Sequence, residues 1–169
     1  ENKAPVVKVM VEKGIPALFV CAAYQLVGHY YKPYQGEKIP GAGIFDLYTE
    51  HPGDQKKRLI GNVTAEIVSS KKTIVGFENH GGRTYLGKDL APLARVIKGF
   101  GNNGEDEYEG AVYKNAIGSY FHGPLLPKNS HIADWLIAKA LEVKYKKKIS
   151  LKPLDDSLEW QAHRFIIAR

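Results

Sequence analysis

The chain has 169 residues, 44% hydrophobic and 25% charged, with one cysteine and a formal charge of +6, enough for one domain with a substantial core. A lone cysteine excludes an internal disulfide and a cysteine-based zinc site, so a reducing cytoplasm is the expected compartment. No stretch approaches the roughly 20 apolar residues of a membrane span. The densest basic run, Lys144–Lys148, falls on the tail of a predicted helix with no nucleic-acid motif beside it, so a solvated face is expected and no nucleic-acid partner.

Taken in chain order, the elements alternate as in an α/β domain. Pro5 followed by Val6, Val7, Met10 and Val11 predicts a short helix. Ile15–Val20 is an apolar run that predicts a buried strand ending at Cys21. Leu26, Val27, Tyr30 and Tyr31 then recur at helical spacing, predicting a helix that stops near Pro33. From there to about Gly53 the chain is rich in Gly and Pro and reads as loop with short extended pieces. Leu59–Val68 and Thr73–Phe77 are β-branched and apolar around the turn-like Ser69-Ser70-Lys71-Lys72, predicting neighbouring strands. Ala94–Lys98 is another strand candidate, Gly99–Gly110 reads as a surface loop, and Ile117–Phe121 is a strand ending at His122. Asn129 or Ser130 is the expected cap of a helix with Ile132, Ala133, Trp135, Leu136, Ala140 and Leu141 as its stripe. Asp155 or Asp156 is expected to start a last helix, with Glu159 completing a capping box. There is no internal repeat and no linker, so residues 1–169 read as a single domain.

Cys21 carries the strongest chemical signal. Between a strand and a helix, with the small residues Ala22 and Ala23 next, a thiol meets unpaired backbone N–H groups and the positive end of the helix dipole, which favour the nucleophilic thiolate. The alternative is a structural cysteine acting as a small hydrophobe at a strand end. A thiol nucleophile needs a base. His122 ends an apolar strand, between Gly118 and Gly123-Pro124, where α/β sheets present their active-site side chains. His80, in the polar, glycine-rich stretch Gly76-Phe77-Glu78-Asn79-His80-Gly81-Gly82-Arg83, is the rival and reads as part of a binding loop.

Three segments resemble a known family. LFVCAAYQLVG around Cys21 resembles the nucleophile elbow of class I glutamine amidotransferases, where a small residue lies two positions after the cysteine and a glutamine four. GFENHGGRT (76–84) and GSYFHGPLLPKNSHIADWL (118–136) are similar to segments of the cobyric-acid-synthase-like branch, and within it to the GatD group of glutaminase subunits. The resemblance spans nearly the whole chain. It implies a class I glutamine amidotransferase fold, a flavodoxin-like mixed sheet with flanking helices, and a glutaminase acting on L-glutamine. By position, Cys21 matches the nucleophile and His122 the general base. Arg58 matches an arginine that positions the substrate, Gln25 the elbow glutamine beside it, and the Ala22 N–H an oxyanion donor. For Arg58 the residues alone leave a surface charge at a strand start as an equal reading. The resemblance further implies a MurT-like Mur ligase subunit as partner, lipid II reached through that partner, no cofactor in this chain, and a cytoplasmic setting near the inner face of the membrane. A cobyric-acid-synthase-type amidotransferase of cobalamin biosynthesis, or a non-catalytic binding subunit of the same fold, are the alternatives.

The chain departs from the family pattern at three places. Class I enzymes commonly carry an orienting glutamate two positions after the base histidine; here that place is Pro124, so a dyad, or a carboxylate from the partner, is expected. Phe19 stands where the class often has glycine. No glycine-rich loop for a second oxyanion donor precedes Cys21, so the chain is expected to be the carboxyl part of a longer domain.

Overall fold

The computed structural model describes residues 3–169. Helix α1 (Ala4–Glu12) starts with Pro5 in its first turn, where a missing N–H costs nothing. It leads into β1 (Ala17–Val20), which ends at the cysteine, and α2 (Ala22–Leu26) follows. The expected helix through Tyr31 is therefore shorter than the spacing suggested. Gly28 lies so close to Leu47 that a Cβ there would sit 2.2 Å from the leucine Cδ1; the chain turns at that contact. Tyr30–Lys32 then forms β2, and its tyrosines alternate across a strand instead of lining a helix.

The Gly- and Pro-rich stretch holds β3 (Ile39–Pro40) and β4 (Leu47–Glu50), the short extended pieces expected there. The paired long strands are β5 (Leu59–Ile67) and β6 (Thr73–His80). The second runs three residues past its expected end, through Glu78, Asn79 and His80, so that segment is strand rather than loop; the turn is confined to Gly81 and Gly82 before β7 (Arg83–Leu86). After β8 (Ala94–Lys98) come β9 (Tyr108–Glu109), β10 (Ala111–Tyr113) and β11 (Ala116–Ser119). The expected surface loop between β8 and β10 is exposed at Gly99, Phe100 and Gly104 to Tyr108, but it turns inward at Gly101 to Asn103 and at Glu109 and Gly110. Asn102 and Asn103 are buried, bonding Gly110 O and Thr84 O, and Glu78 accepts the N–H groups of Phe100 and Gly101 at 2.7 and 2.9 Å.

Helices α3 (Leu125–Lys128), α4 (Ser130–Tyr145) and α5 (Ser157–Ile167) complete the order. Asn129 takes the N-cap position of α4, as expected, but its side chain makes no capping bond. Its side chain bridges Val75 N and O and Leu125 O, tying the helix pair to β6. No capping box forms at α5 either; Asp155 accepts the Ser157 N–H instead. Lys144 and the three lysines after Tyr145 are exposed, as the charge run suggested. Among the described residues no helix is long and apolar enough to cross a membrane.

The strands form three sheets, in the orders β1-β11-β10, β3-β2-β4-β7 and β6-β5-β8-β9. Strand β11 is the partition of the molecule. Ala116 and Tyr120 face one buried cluster with Val11, Tyr24, Phe45 and Leu47, while Ile117 and Phe121 face a second with Val63, Ile67, Ile74, Leu93 and Ile132. Alternation of side chains along a strand sends neighbours to opposite faces, so one short segment seals both cores. Gly118 serves that arrangement: a Cβ there would lie 2.2 Å from Tyr24 Cδ2, so only glycine lets the tyrosine ring lie flat on the strand.

Candidate active site

Strands β1 and β11 are parallel neighbours, with Val20 opposite Ser119. Cys21 and His122 therefore leave the same carboxyl edge of adjacent strands, the edge where ligands bind in parallel sheets. The Cys21 N–H closes the last rung on Ser119 O at 2.9 Å. Beyond that rung the Cys21 backbone has φ 55 and ψ −112, a conformation that L-residues rarely adopt. Strain of this kind persists only where the surroundings hold it, and it is characteristic of a nucleophile elbow. The thiol is free and partly exposed. The N–H of Ala22 opens α2, in the first turn where no intrahelical acceptor exists.

His122 is fixed by its backbone, whose N–H donates to Phe77 O at 2.7 Å in an isolated bridge to β6. Its ring is only half buried, and Nε2 has no partner among the described residues. Burial, together with the nearby His80 and the Arg58 guanidinium, lowers the His122 pKa below its ordinary 6.5. The ring is thereby kept neutral, in the base form, at physiological pH.

His80 is built differently. It is buried, its ring stacks on Tyr120 with centroids 3.5 Å apart, and Nδ1 donates to Gly82 O at 2.7 Å. The Nε2 atom lies 3.9 Å from Glu78, beyond hydrogen-bond reach, and has no other partner. Among the described residues it is a wall of the site rather than an accessible side chain.

Gln25 reaches from α2 to donate to the Tyr120 hydroxyl at 3.1 Å, and that hydroxyl also bonds Thr84 Oγ1 at 2.6 Å, which in turn bonds Thr49 Oγ1 at 2.7 Å. Burial pushes the Tyr120 phenol above its usual range, so it remains a protonated link in this chain. Arg58, just before β5, is exposed, with Nε and Nη2 tied to Asn79 across the β5–β6 ladder at 2.9 to 3.1 Å. A Cβ on Gly81 would come within 3.3 Å of Arg58 Nη1 and 2.8 Å of His51 Nε2, and one on Gly82 within 2.8 Å of Gln25 Nε2. The Gly81-Gly82 turn thus keeps backbone low between the guanidinium and the elbow glutamine, and the cation stands free to pair with an anion.

The five residues singled out in the sequence, Cys21, Ala22, Gln25, Arg58 and His122, come from the edge of β1, the start and face of α2, the approach to β5 and the end of β11. Sequence reasoning missed His51, Asn79 and Tyr120 around them. Asn79 sat inside the quoted GFENHGGRT, but nothing local indicates that it holds Arg58. No carboxylate among the described residues bonds the His122 Nε2, and no cluster of three or more metal-ligating side chains occurs among them.

The comparisons with known proteins follow this geometry. The subunit GatD of lipid II isoglutaminyl synthase (glutamine-hydrolyzing) from Staphylococcus aureus is 44% identical over 164 residues, 96% of this chain and 64% of that protein. The corresponding subunit from Streptococcus pneumoniae is 42% identical, over 83% of this chain and 54% of that protein. The chain thus spans somewhat over half the length of these curated relatives. A probable cobyric acid synthase from Methanothermobacter thermautotrophicus is 33% identical over 64% of the chain and 23% of that protein. Two solved structures share the fold: a glutamine amidotransferase, with TM-score 0.58 and 17% identity over 81% of this chain and 67% of that one, and PurLQS from Thermotoga maritima, with TM-score 0.56 and 16% identity over 87% and 69%. The profile of the CobB/CobQ-like glutamine amidotransferase domain matches residues 1–130, from before the elbow to beyond His122. An elbow cysteine level with a neutral histidine, on this fold and within that match, leads to one assignment: the chain belongs to the CobB/CobQ-like glutamine amidotransferase domain family.

Proposed function

We propose that the chain is the glutamine-hydrolysing part of an ammonia-transferring synthase, with Cys21 as nucleophile and His122 as its base. The observation that carries the reading is the positive φ of Cys21 one strand away from a half-buried, neutral His122. In this mechanism His122 takes the thiol proton, and the thiolate attacks the side-chain carboxamide carbon of glutamine. The oxygen that gains charge is held by the Ala22 N–H. The imidazolium returns its proton to the departing nitrogen, ammonia leaves, and a thioester remains. Water deprotonated by His122 then attacks the thioester, glutamate is released, and the proton returns to sulfur. Arg58 pairs with the substrate α-carboxylate, for which a planar guanidinium is suited, and Gln25 lines the other side of the substrate. No step calls on a cofactor held by this chain.

Ammonia is mostly protonated at neutral pH and then no nucleophile, so it is passed directly to a synthetase. The names of the two relatives above 40% identity support lipid II isoglutaminyl synthase as the enzyme. The proposed partner is a MurT-like Mur ligase subunit, which uses ATP to activate the α-carboxylate of D-glutamate in the lipid II stem peptide. The product is D-isoglutamine. The test is reconstitution of the subunit with that partner, lipid II, ATP and glutamine, following glutamate release and stem-peptide amidation together. Both are expected in the parent complex and neither with glutamine as sole nitrogen source in Cys21→Ala. Glutamate release without amidation would overturn the acceptor and leave the glutaminase standing; release by Cys21→Ala would overturn the chemistry itself.

A further inference from the structure

We propose that Glu109 is a positioning residue that braces the strand end carrying the base, an inference that rests on the reading of Cys21 and His122 as nucleophile and base. The regular pairing of β11 ends at Ser119, yet the backbone must run on through Tyr120 and Phe121 before His122 finds its bridge to Phe77. Those intervening N–H groups are buried and need acceptors outside any ladder. Glu109, fully buried in β9, supplies the first and orients the acceptor of the second. Its Oε1 accepts the Tyr120 N–H at 2.8 Å and the Ser119 hydroxyl at 2.8 Å, and Ser119 Oγ in turn accepts the Phe121 N–H at 3.0 Å. Ser119 O takes the Cys21 N–H. One carboxyl therefore fixes the stretch from which the elbow hangs on one side and His122 projects on the other.

The brace does more than fill space. The second oxygen, Oε2, is buried without a partner among the described residues, a costly arrangement in a core. An apolar residue could have filled the volume, but not accepted the two N–H and O–H donors. The groups facing the carboxyl are Tyr24 from α2, Tyr120 beyond β11 and Glu78 from β6; the adjoining Gly110 N–H donates to Asn102 Oδ1. Burial, aided by the Glu78 charge, raises the Glu109 pKa to about 7 against the pull of the hydrogen bonds from Tyr120 and Ser119. Protonated and ionised brace are thus both populated near neutrality. The ionised form is the stronger acceptor, so His122 is held better as pH rises through that region.

The experiment compares Glu109→Gln and Glu109→Ala with the parent, each in complex with the synthetase partner, by glutaminase kcat and KM from about pH 5.5 to 9 and by circular dichroism. A displaced base costs rate more than substrate affinity, because Arg58 and Asn79 lie outside the brace and only Gln25, through the Tyr120 hydroxyl, is tied to it. Folded Glu109→Ala is expected to lose roughly a hundredfold in kcat with KM within about threefold. Glu109→Gln keeps an acceptor oxygen and should stay within about tenfold of the parent. Its profile should lose the limb near neutrality and keep only the more acidic one of His122. A folded Glu109→Ala with kcat within about threefold of the parent, or a Glu109→Gln profile superimposable on the parent, would overturn the proposal. If the alanine variant does not fold, the glutamine profile decides. Activity surviving in Cys21→Ala, run beside them, would instead mean that the underlying catalytic reading has failed.

Discussion

His80 ends β6 and His122, beyond β11, bridges to Phe77 of that same strand, yet they are opposites in construction. His80 is buried, stacked on Tyr120 and committed to Gly82 through Nδ1, so its ring has one orientation and no opening to substrate. His122 is anchored only by its backbone, with a half-buried ring whose Nε2 is buried without a partner among the described residues and whose proton is held off by burial, by His80 and by the Arg58 guanidinium. The difference teaches what distinguishes the proposed base: a fixed backbone under a ring that no hydrogen bond among the described residues commits. A buried ring held by a stack and by one hydrogen bond through Nδ1 makes a wall.

The comparison breaks first if the two histidines are replaced. His122→Ala is expected to lower kcat for glutamine hydrolysis by a hundredfold or more, the scale of a general acid–base group. Replacing Arg58 comes next. Arg58→Ala is expected to raise KM for glutamine by roughly 10- to 100-fold through loss of a charge-assisted bond. It also removes a cation that disfavours the imidazolium, so the acid limb of kcat/KM should move to higher pH; a KM and limb both unmoved would return Arg58 to the surface. His80→Phe keeps the stack on Tyr120 and loses the bond to Gly82. It should cost about 1–3 kcal/mol of stability with kcat per folded molecule within about tenfold of the parent. A larger kcat loss than in His122→Ala would exchange the roles.

A third histidine gives the smallest effect. His131, on α4, stacks on Trp160 with centroids 5.3 Å apart, and both its ring nitrogens are buried without partners among the described residues. Burial, with the charges of His163 and Lys72 adding to it, pushes its pKa from 6.5 to about 4. The unfolded chain therefore takes up a proton below about pH 6.5 that the folded chain refuses, so stability falls as pH drops from there toward 4. Glu109 opposes this. Its folded form holds a proton that the unfolded chain releases above 4.5, so its contribution declines as pH rises from about 4.5 to about 7. The effect is thus read as a difference between proteins. His131→Phe should show about 1 kcal/mol less loss between pH 7 and pH 5 than the parent, solvent screening trimming the full linkage value, as measured by denaturant melts.

The frame of the site was legible because it rests on short-range pattern. An apolar run broken at Cys21 by small residues, and a second ending at His122 before glycine and proline, each declare a strand end, and strand ends of a parallel sheet meet at one edge. What was not legible depends on partners far along the chain. Asn102 and Asn103 look like surface loop residues until Tyr24, Thr84 and Gly110 supply their bonds. Glu78 and Glu109 look solvated until the loops that cover them are in place. The tyrosines of β2 kept a helical spacing that the contact between Gly28 and Leu47 overrode. Hydrophobic periodicity reports which face is buried, and it is silent on which polar groups are buried with it.

The most direct test is to treat the complex with a glutamine-like diazo-ketone norleucine and locate the adduct by peptide mass spectrometry while following residual glutaminase activity. One adduct per chain on Cys21, formed in step with loss of activity and slowed by glutamine, is the expected result. Inactivation with the label on any other residue, or an unlabelled Cys21 in a fully inactivated enzyme, would contradict the assignment of the elbow cysteine as nucleophile.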